Sequence, residues 1–274
     1  MQIAAVLHVH ENTDLVLDTL ESIQTWVTDD ILAVVDGKYW RRWGRKINLP
    51  AYKLEGFKHG HFVASYRNHI LGMMQAAQLW PNADWYLHTE YDTLFASDSF
   101  KTDVEEAGKQ GAWCVGCDHR KDTHLKLPLL ESMLKTNIDT CHYLIGCCHF
   151  YKSDFIKKLL EINFFNNFLN LTNCFSVGEF PGYEGYCLME HLFPTLAVLF
   201  GGKIKELAHW NETIGGGQYK KYPVRFRPVL TWKENYPEAA ILHPLKDFPN
   251  PIREYHKRKR HGKKLQSKAN CSGE

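Results

Sequence analysis

"DWYLHTEYDTLF", residues 84–95, is the stretch on which the reading of this chain turns. Trp85, Tyr86 and Leu87 read as a buried strand, yet the run closes on Glu90 and Asp92 with a single tyrosine between them. Side chains of an extended chain alternate faces, so His88, Glu90 and Asp92 share one face and Tyr91 takes the other. Two carboxylates that close repel each other unless something positive lies between them. Either the strand ends in a solvated loop, or the pair holds a divalent cation.

The chain before this stretch alternates strand and helix. Residues 3–9, "IAAVLHV", are an apolar run of strand length, and Thr13 is an N-cap candidate for a helix carrying Leu15, Leu17, Leu20, Ile23 and Val27 near helical spacing. "ILAVVDG" (31–37) is a second aliphatic strand, "AYKLEG" a short third, and residues 61–80 read as a helix stopped by Pro81-Asn82. Beyond the opening stretch, "AWCVGC" (112–117) and "HYLIGCCHFY" (142–151) read as strands and "SDFIKKLLEI" as a helix. Residues 163–186 have no clear period, "CLMEHLFPTLAVLFGG" is helical, and "KIKELAHW" and "ILHPLKD" (241–247) are strand-like. The alternation predicts an α/β fold, a central mixed sheet with helices on both faces, in a single domain over about residues 1–250. Ligands of such sheets bind at the carboxyl ends of strands, where Asn12, Asp36, Glu90 and Asp92 all fall.

Composition is that of an ordinary globular chain of 274 residues, 44% hydrophobic and 23% charged. No run approaches the ~18 apolar residues of a membrane span. The N-terminus carries no basic leader, so a cytoplasmic location is the expectation. Eight cysteines follow neither a disulfide framework nor a paired zinc spacing and read as buried thiols. The net charge of +2 conceals a basic segment, residues 253–264, with seven Lys/Arg against one Glu. Residues 251–274 are therefore expected to be a poorly ordered basic tail. Short of interleaved aromatics, it suits an anionic membrane surface better than nucleic acid.

Four motifs now stand in order: "HVHEN", "AVVDG", "ASYRN" and "LHTEYD". Together they resemble the metal-dependent glycosyltransferases of the GT-A fold, family-2-like members in particular. The likeness covers most of residues 1–100 and returns at "GCCHFYKSDF", "EGYCLMEHLFPTLA" and "ILHPLK". It departs where Glu-Tyr-Asp replaces Asp-x-Asp and Ser-Tyr-Arg-Asn replaces Ala-Arg-Asn. The resemblance implies a nucleotide-sugar-binding half over residues 1–110 and an acceptor-binding half over 111–250. It also implies a UDP- or GDP-linked sugar donor, a glycan or glycoconjugate acceptor, and Mn²⁺ or Mg²⁺.

The same resemblance assigns roles. Asp92 becomes the protein ligand of the metal, Glu90 reaches it through water or holds the ribose, and His243 closes the metal shell. Lys246 neutralises the donor diphosphate, Asp36 and Arg67 contact the base, and His10 and Asn12 lie near the nucleotide. Glu190 is the favoured general base and Glu184 the second candidate. Phe175, Phe180, Tyr183 and Tyr186 suit stacking on a saccharide.

Two rival readings remain at this level. "LHVHEN" places His8 and His10 as a metal-dependent hydrolase of the amidohydrolase or PHP type would, but such barrels need eight strand–helix units and this chain offers about four. A non-catalytic nucleotide-sugar or glycan binder would not need both a metal pair and a separate carboxylate.

Overall fold

Every residue of β1 (Ile3–Val9) is buried, which requires an element packed against each of its faces. The computed structural model describes residues 1–9, 13–36, 39–43, 49–54, 61–125, 127–172, 188–208, 213–214, 218–219, 221–225 and 236–271. After β1 come α1 (Thr13–Trp26), β2 (Ile31–Asp36), α2 (Trp40–Trp43), β3 (Ala51–Leu54), α3 (His61–Leu79), β4 (Trp85–Glu90) and β5 (Leu94–Phe95). The middle of the chain forms α4 (Phe100–Lys109), β6 (Ala112–Gly116), β7 (Arg120–Asp122), α5 (Pro128–Leu134), β8 (Cys141–Tyr143), β9 (Cys148–Lys152), α6 (Ser153–Glu161) and α7 (Phe164–Thr172). Then follow α8 (Leu188–Leu199), β10 (Lys203–Glu206), β11 (Thr213–Ile214), β12 (Gln218–Tyr219), β13 (Ile241–Leu242) and α9 (Pro251–Cys271).

Seven strands make one open sheet in the order β10-β6-β9-β4-β1-β2-β3. Strands β3, β2, β1 and β4 run parallel, while β9 is antiparallel to both β4 and β6. The expected mixed sheet with helices on both faces is present. Odd residues of β1 (Ile3, Ala5, Leu7) join a core with Leu15, Leu20 and Ile23 of α1 and Phe100 and Val104 of α4. Even residues (Ala4, Val6) join a second core with Ile70 and Met73 of α3 and Phe193 of α8. Helix α3 reaches the sheet through Gly72, where a Cβ would stand 2.5 Å from Val6 Cγ1. The chain runs outward through β1, β2 and β3, then crosses back to β4 beside β1. That reversal is a topological switch point, and Glu90 is at the carboxyl end of β4 beside it.

The open sheet removes the closed barrel that the hydrolase reading requires. His8 is buried in the second core instead, its ring 4.5 Å from His88 and 6.2 Å from His69. Cys114, Cys117, Cys141, Cys147 and Cys148 are buried thiols, as expected. No described helix is long and apolar enough to cross a membrane.

One expectation is overturned. The segment from residue 251, expected to be a poorly ordered tail, is the long helix α9. Asn250 caps it, accepting from the backbone N–H groups of Ile252 (2.9 Å) and Arg253 (3.3 Å), and Pro251 occupies the first helical position. Ile252, Arg253, His256 and Arg260 recur at helical spacing and are buried, so one stripe of the basic run faces inward. Both arginines bind the carboxylate of Asp18 on α1, Arg253 Nη1 at 2.7 Å from Oδ2 and Arg260 Nη2 on Oδ1. Burial of two cations is tolerable because a buried carboxylate meets them.

Candidate metal centre

Two short strands bring distant residues together. β5 pairs antiparallel with β13, Leu94 opposite Leu242 and Phe95 opposite Ile241. The register carries residues 243–246 back along the turn formed by 90–93, and Leu245 N–H donates to the Asp92 carbonyl at 2.9 Å. Glu90, Asp92 and His243 thereby present ligand atoms within 4.8 Å of one another, a group able to hold a metal ion. His243 Nε2 lies 3.4 Å from Asp92 Oδ1 and 4.0 Å from Glu90 Oε2. Lys246 Nζ approaches Asp92 Oδ2 at 3.8 Å from a side chain 61% exposed.

The hydrogen bonds around His243 decide which nitrogen faces the carboxylates. Nδ1 lies 2.8 Å from the carbonyl of Arg225, which can only accept, so Nδ1 carries a proton. In the neutral ring Nε2 then offers its lone pair toward Asp92 and Glu90. The segment is pinned on both sides: His243 N–H donates to Pro223 O at 3.1 Å and Arg225 N–H to His243 O at 3.0 Å. Asp92 Oδ1 is buried and accepts no hydrogen bond. A buried carboxylate oxygen, the Nε2 of His243 3.4 Å from it and a second carboxylate make a donor set for a divalent cation once the imidazole gives up its Nε2 proton. Two hard oxygens with one imidazole suit Mn²⁺, and Mg²⁺ through the oxygens.

Electrostatics agree with that picture. Withdrawal from water, then the neighbouring Asp92, push the Glu90 carboxyl up to about 7. Burial works against ionised Asp92 too, but His243 and Lys246 outweigh it and hold its carboxyl below the usual carboxylate range. Burial would lower the His243 imidazole, yet Asp92 and Glu90 raise it above its ordinary value. The pocket is built for positive charge.

Glu190 lies in the first turn of α8 and is buried. Its Oε1 accepts from Gly146 N–H at 2.6 Å and from the Tyr143 hydroxyl at 3.5 Å, and its carbonyl accepts from Leu144 N–H at 3.1 Å. Its charge is among those that raise Glu90. On the rim, Arg120 forks onto Asp118 at 2.8 and 2.6 Å and stands over the Tyr143 ring, which is 5.2 Å from His191. No motif in the sequence marked this rim.

Of the residues singled out from sequence, the structure brings together Glu90, Asp92, His243 and Lys246, with Glu190 in electrostatic reach. The backbones of Asp36 and Arg67 end β2 and lie on α3, respectively, with side chains outside the described residues. His10, Asn12, Glu184, Phe175, Phe180, Tyr183 and Tyr186 lie outside the described residues altogether. Sequence reasoning missed the support behind the centre. Thr19 Oγ1 sits between the carbonyls of Tyr91 (2.5 Å) and Thr93 (3.0 Å), and Arg253 Nε donates to Leu245 O at 3.1 Å.

No protein family and no curated protein sequence matches the chain. Among solved structures, a glycosyltransferase involved in the glycosylation of the major capsid of PBCV-1 is 14% identical, with a TM-score of 0.46 over 95% of this chain and 100% of that one. Bifunctional IspDF from Campylobacter jejuni is 10% identical (TM-score 0.41) over 81% of this chain and 53% of its own. The mannosyltransferase PcManGT from Pyrobaculum calidifontis, solved with GDP-Man and Mn²⁺, is 14% identical (TM-score 0.33) over 58% of this chain and 46% of its own. This chain thus spans about half the length of the latter two. TM-scores below 0.5 decide nothing about its chemistry.

Proposed function

We propose that the chain is a GT-A-like glycosyltransferase that moves a sugar from a UDP- or GDP-linked donor to a hydroxyl of a glycan or glycoconjugate, with inversion. The single observation that carries the reading is the grouping of Glu90, Asp92 and His243, with ligand atoms within 4.8 Å of one another, at the switch point of the sheet. In this reading Asp92 and His243 hold Mn²⁺ or Mg²⁺ and Glu90 binds it directly, through water, or holds the ribose. Bound there, the cation supplies the charge that stabilises a diphosphate leaving group.

Lys246, flexible and exposed beside Asp92, meets the same diphosphate. Asp36, Arg67, His10 and Asn12 take the nucleoside from the carboxyl ends of β1 and β2 and from α3. Glu190 draws the proton from the acceptor hydroxyl on the face away from the diphosphate, with Gly146 and Tyr143 orienting its carboxylate. Glu184 stands second to it. A binder without catalysis would have no use for a further buried carboxylate within electrostatic reach of the triad, which favours transfer over binding alone. The exposed Arg258 and Lys259 of α9 support contact with an anionic membrane from the cytoplasmic side.

A screen of nucleotide sugars by thermal unfolding, with and without Mn²⁺, tests the reading. A ligand selective for the native state stabilises it by about 2.7 kcal/mol at a hundredfold excess over Kd. A metal-dependent rise in Tm with a UDP- or GDP-sugar is expected. No rise with any nucleotide diphosphate, with or without Mn²⁺, overturns it.

A further inference from the structure

We infer that Arg253 of α9 is a positioning residue of the metal centre, holding in register the two chain segments that carry its ligands. The inference rests on the metal-binding reading of Glu90, Asp92 and His243. One segment is the turn 90–93 and the other is 243–246, and between them a ring of hydrogen bonds closes on Arg253. Its Nε donates to the Leu245 carbonyl at 3.1 Å, while Leu245 N–H donates to the Asp92 carbonyl at 2.9 Å. Its Nη1 reaches Thr19 Oγ1 at 3.2 Å, and that hydroxyl in turn lies 2.5 Å from Tyr91 O and 3.0 Å from Thr93 O. The two carbonyls that flank Asp92, and the peptide two residues beyond His243, are therefore tied to one guanidinium.

That guanidinium is fully buried and fixed by Asp18 Oδ2 at 2.7 Å. Three acceptors on two separate parts of the chain (Asp18 and Thr19 on α1, Leu245 beyond β13) need donors splayed in one rigid plane. Arginine provides such a fork and lysine does not. Arg253 also lies close enough to Asp92 for the two charges to favour each other. Outer partners that orient metal ligands typically matter 10–100-fold in metal affinity.

Arg260 supplies the control. It is equally buried and shares Asp18, with Glu21 3.6 Å away, and it bonds neither ligand-bearing segment. Mn²⁺ affinity of the full chain, by titration calorimetry or by the EPR signal of free Mn²⁺, should be measured well below Tm for the parent and for Arg253→Lys, Arg260→Lys and Thr19→Val. Arg253→Lys should weaken Mn²⁺ by about tenfold or more, and Thr19→Val in the same direction by about threefold or more, following the outer-partner scale. Arg260→Lys should lower Tm while leaving the affinity within about twofold, below that scale.

Equal losses in Arg253→Lys and Arg260→Lys would reduce Arg253 to a structural cation and overturn the inference. So would parent affinity in Arg253→Lys, or in Thr19→Val if the arginine variant does not fold. Failure of the parent chain to bind Mn²⁺ removes the metal reading itself, and this inference with it.

Discussion

Asp92 and Glu90 lie together and Glu190 is within electrostatic reach of Glu90, and their surroundings separate what each can do. Asp92 is held below the usual carboxylate range by His243 and Lys246, and its removal should be felt in binding. Asp92→Asn should abolish the metal-dependent part of donor affinity together with turnover. Glu190→Gln should leave donor and metal bound while turnover falls about 10²–10⁴-fold, the usual span for loss of a general base. Glu90→Gln should lie between them. Donor affinity measured beside turnover for the three variants separates these roles. Full metal-dependent affinity in Asp92→Asn would return "TEYD" to a plain strand end. At this scale the candidate ligands were legible because "TEYD" and "ILHPLK" each place a titratable residue where an apolar run stops. Arg253 was not, because a buried arginine within "REYHKRKRHGKK" is spelled like its solvated neighbours. Burial is decided by Asp18, which lies in another part of the chain.

Between α3 and the sheet, the contact at Gly72 sets the spacing of a whole layer. Alanine favours a helix interior over glycine by up to ~1 kcal/mol, but here its Cβ would meet Val6 Cγ1 at 2.5 Å and Val34 Cγ2 at 3.0 Å. Overpacking of this kind costs about 1–3 kcal/mol, so Gly72→Ala should destabilise the protein on balance. Denaturant unfolding of Gly72→Ala with and without Val6→Ala checks it. The penalty should shrink once the opposing methyl groups are gone, and an additive pair would place the strain elsewhere. β1 and β2 could be read from sequence because each is an aliphatic run of strand length, and β1 is followed by a helix of ordinary length. The pairing of β5 with β13 could not, the two being two residues each and far apart along the chain. Helix α9 did leave a trace in Asn250-Pro251 and in the spacing of Ile252, Arg253, His256 and Arg260, but its net charge hid it.

Taken whole, the molecule keeps a cluster of histidines where most proteins keep hydrocarbon. His69 of α3, His88 of β4 and His149 of β9 are buried together, and burial foremost pushes His149 down to about 4 and the other two well below the usual imidazole range. An unfolded chain titrates these rings near ~6.5, so between there and the folded values it binds more protons than the native state. Stability is therefore complete above about pH 6.5 and declines as pH falls, by about 3 kcal/mol for His149 alone by about pH 4. His69→Phe should flatten the decline, since the His69 nitrogens make no hydrogen bond and its ring already packs on Phe193 at 4.7 Å. Urea unfolding at about pH 7 and about pH 5, on either side of most of that decline, measures it, and parallel losses in parent and variant would acquit the cluster.

The salt bridge between Asp18 and Arg253 joins residues 235 apart. On the ribosome α1 emerges long before its two cations exist, and Asp18 spends that interval as a lone carboxylate in a helix otherwise ready to pack. The sheet can begin to form meanwhile, because β1 to β4 are local to one another. The segments bearing Asp92 and His243 acquire their clasp only when α9 has been made. A product cut short before Arg253 can carry the sheet but lacks the guanidinium that joins the segments bearing Asp92 and His243.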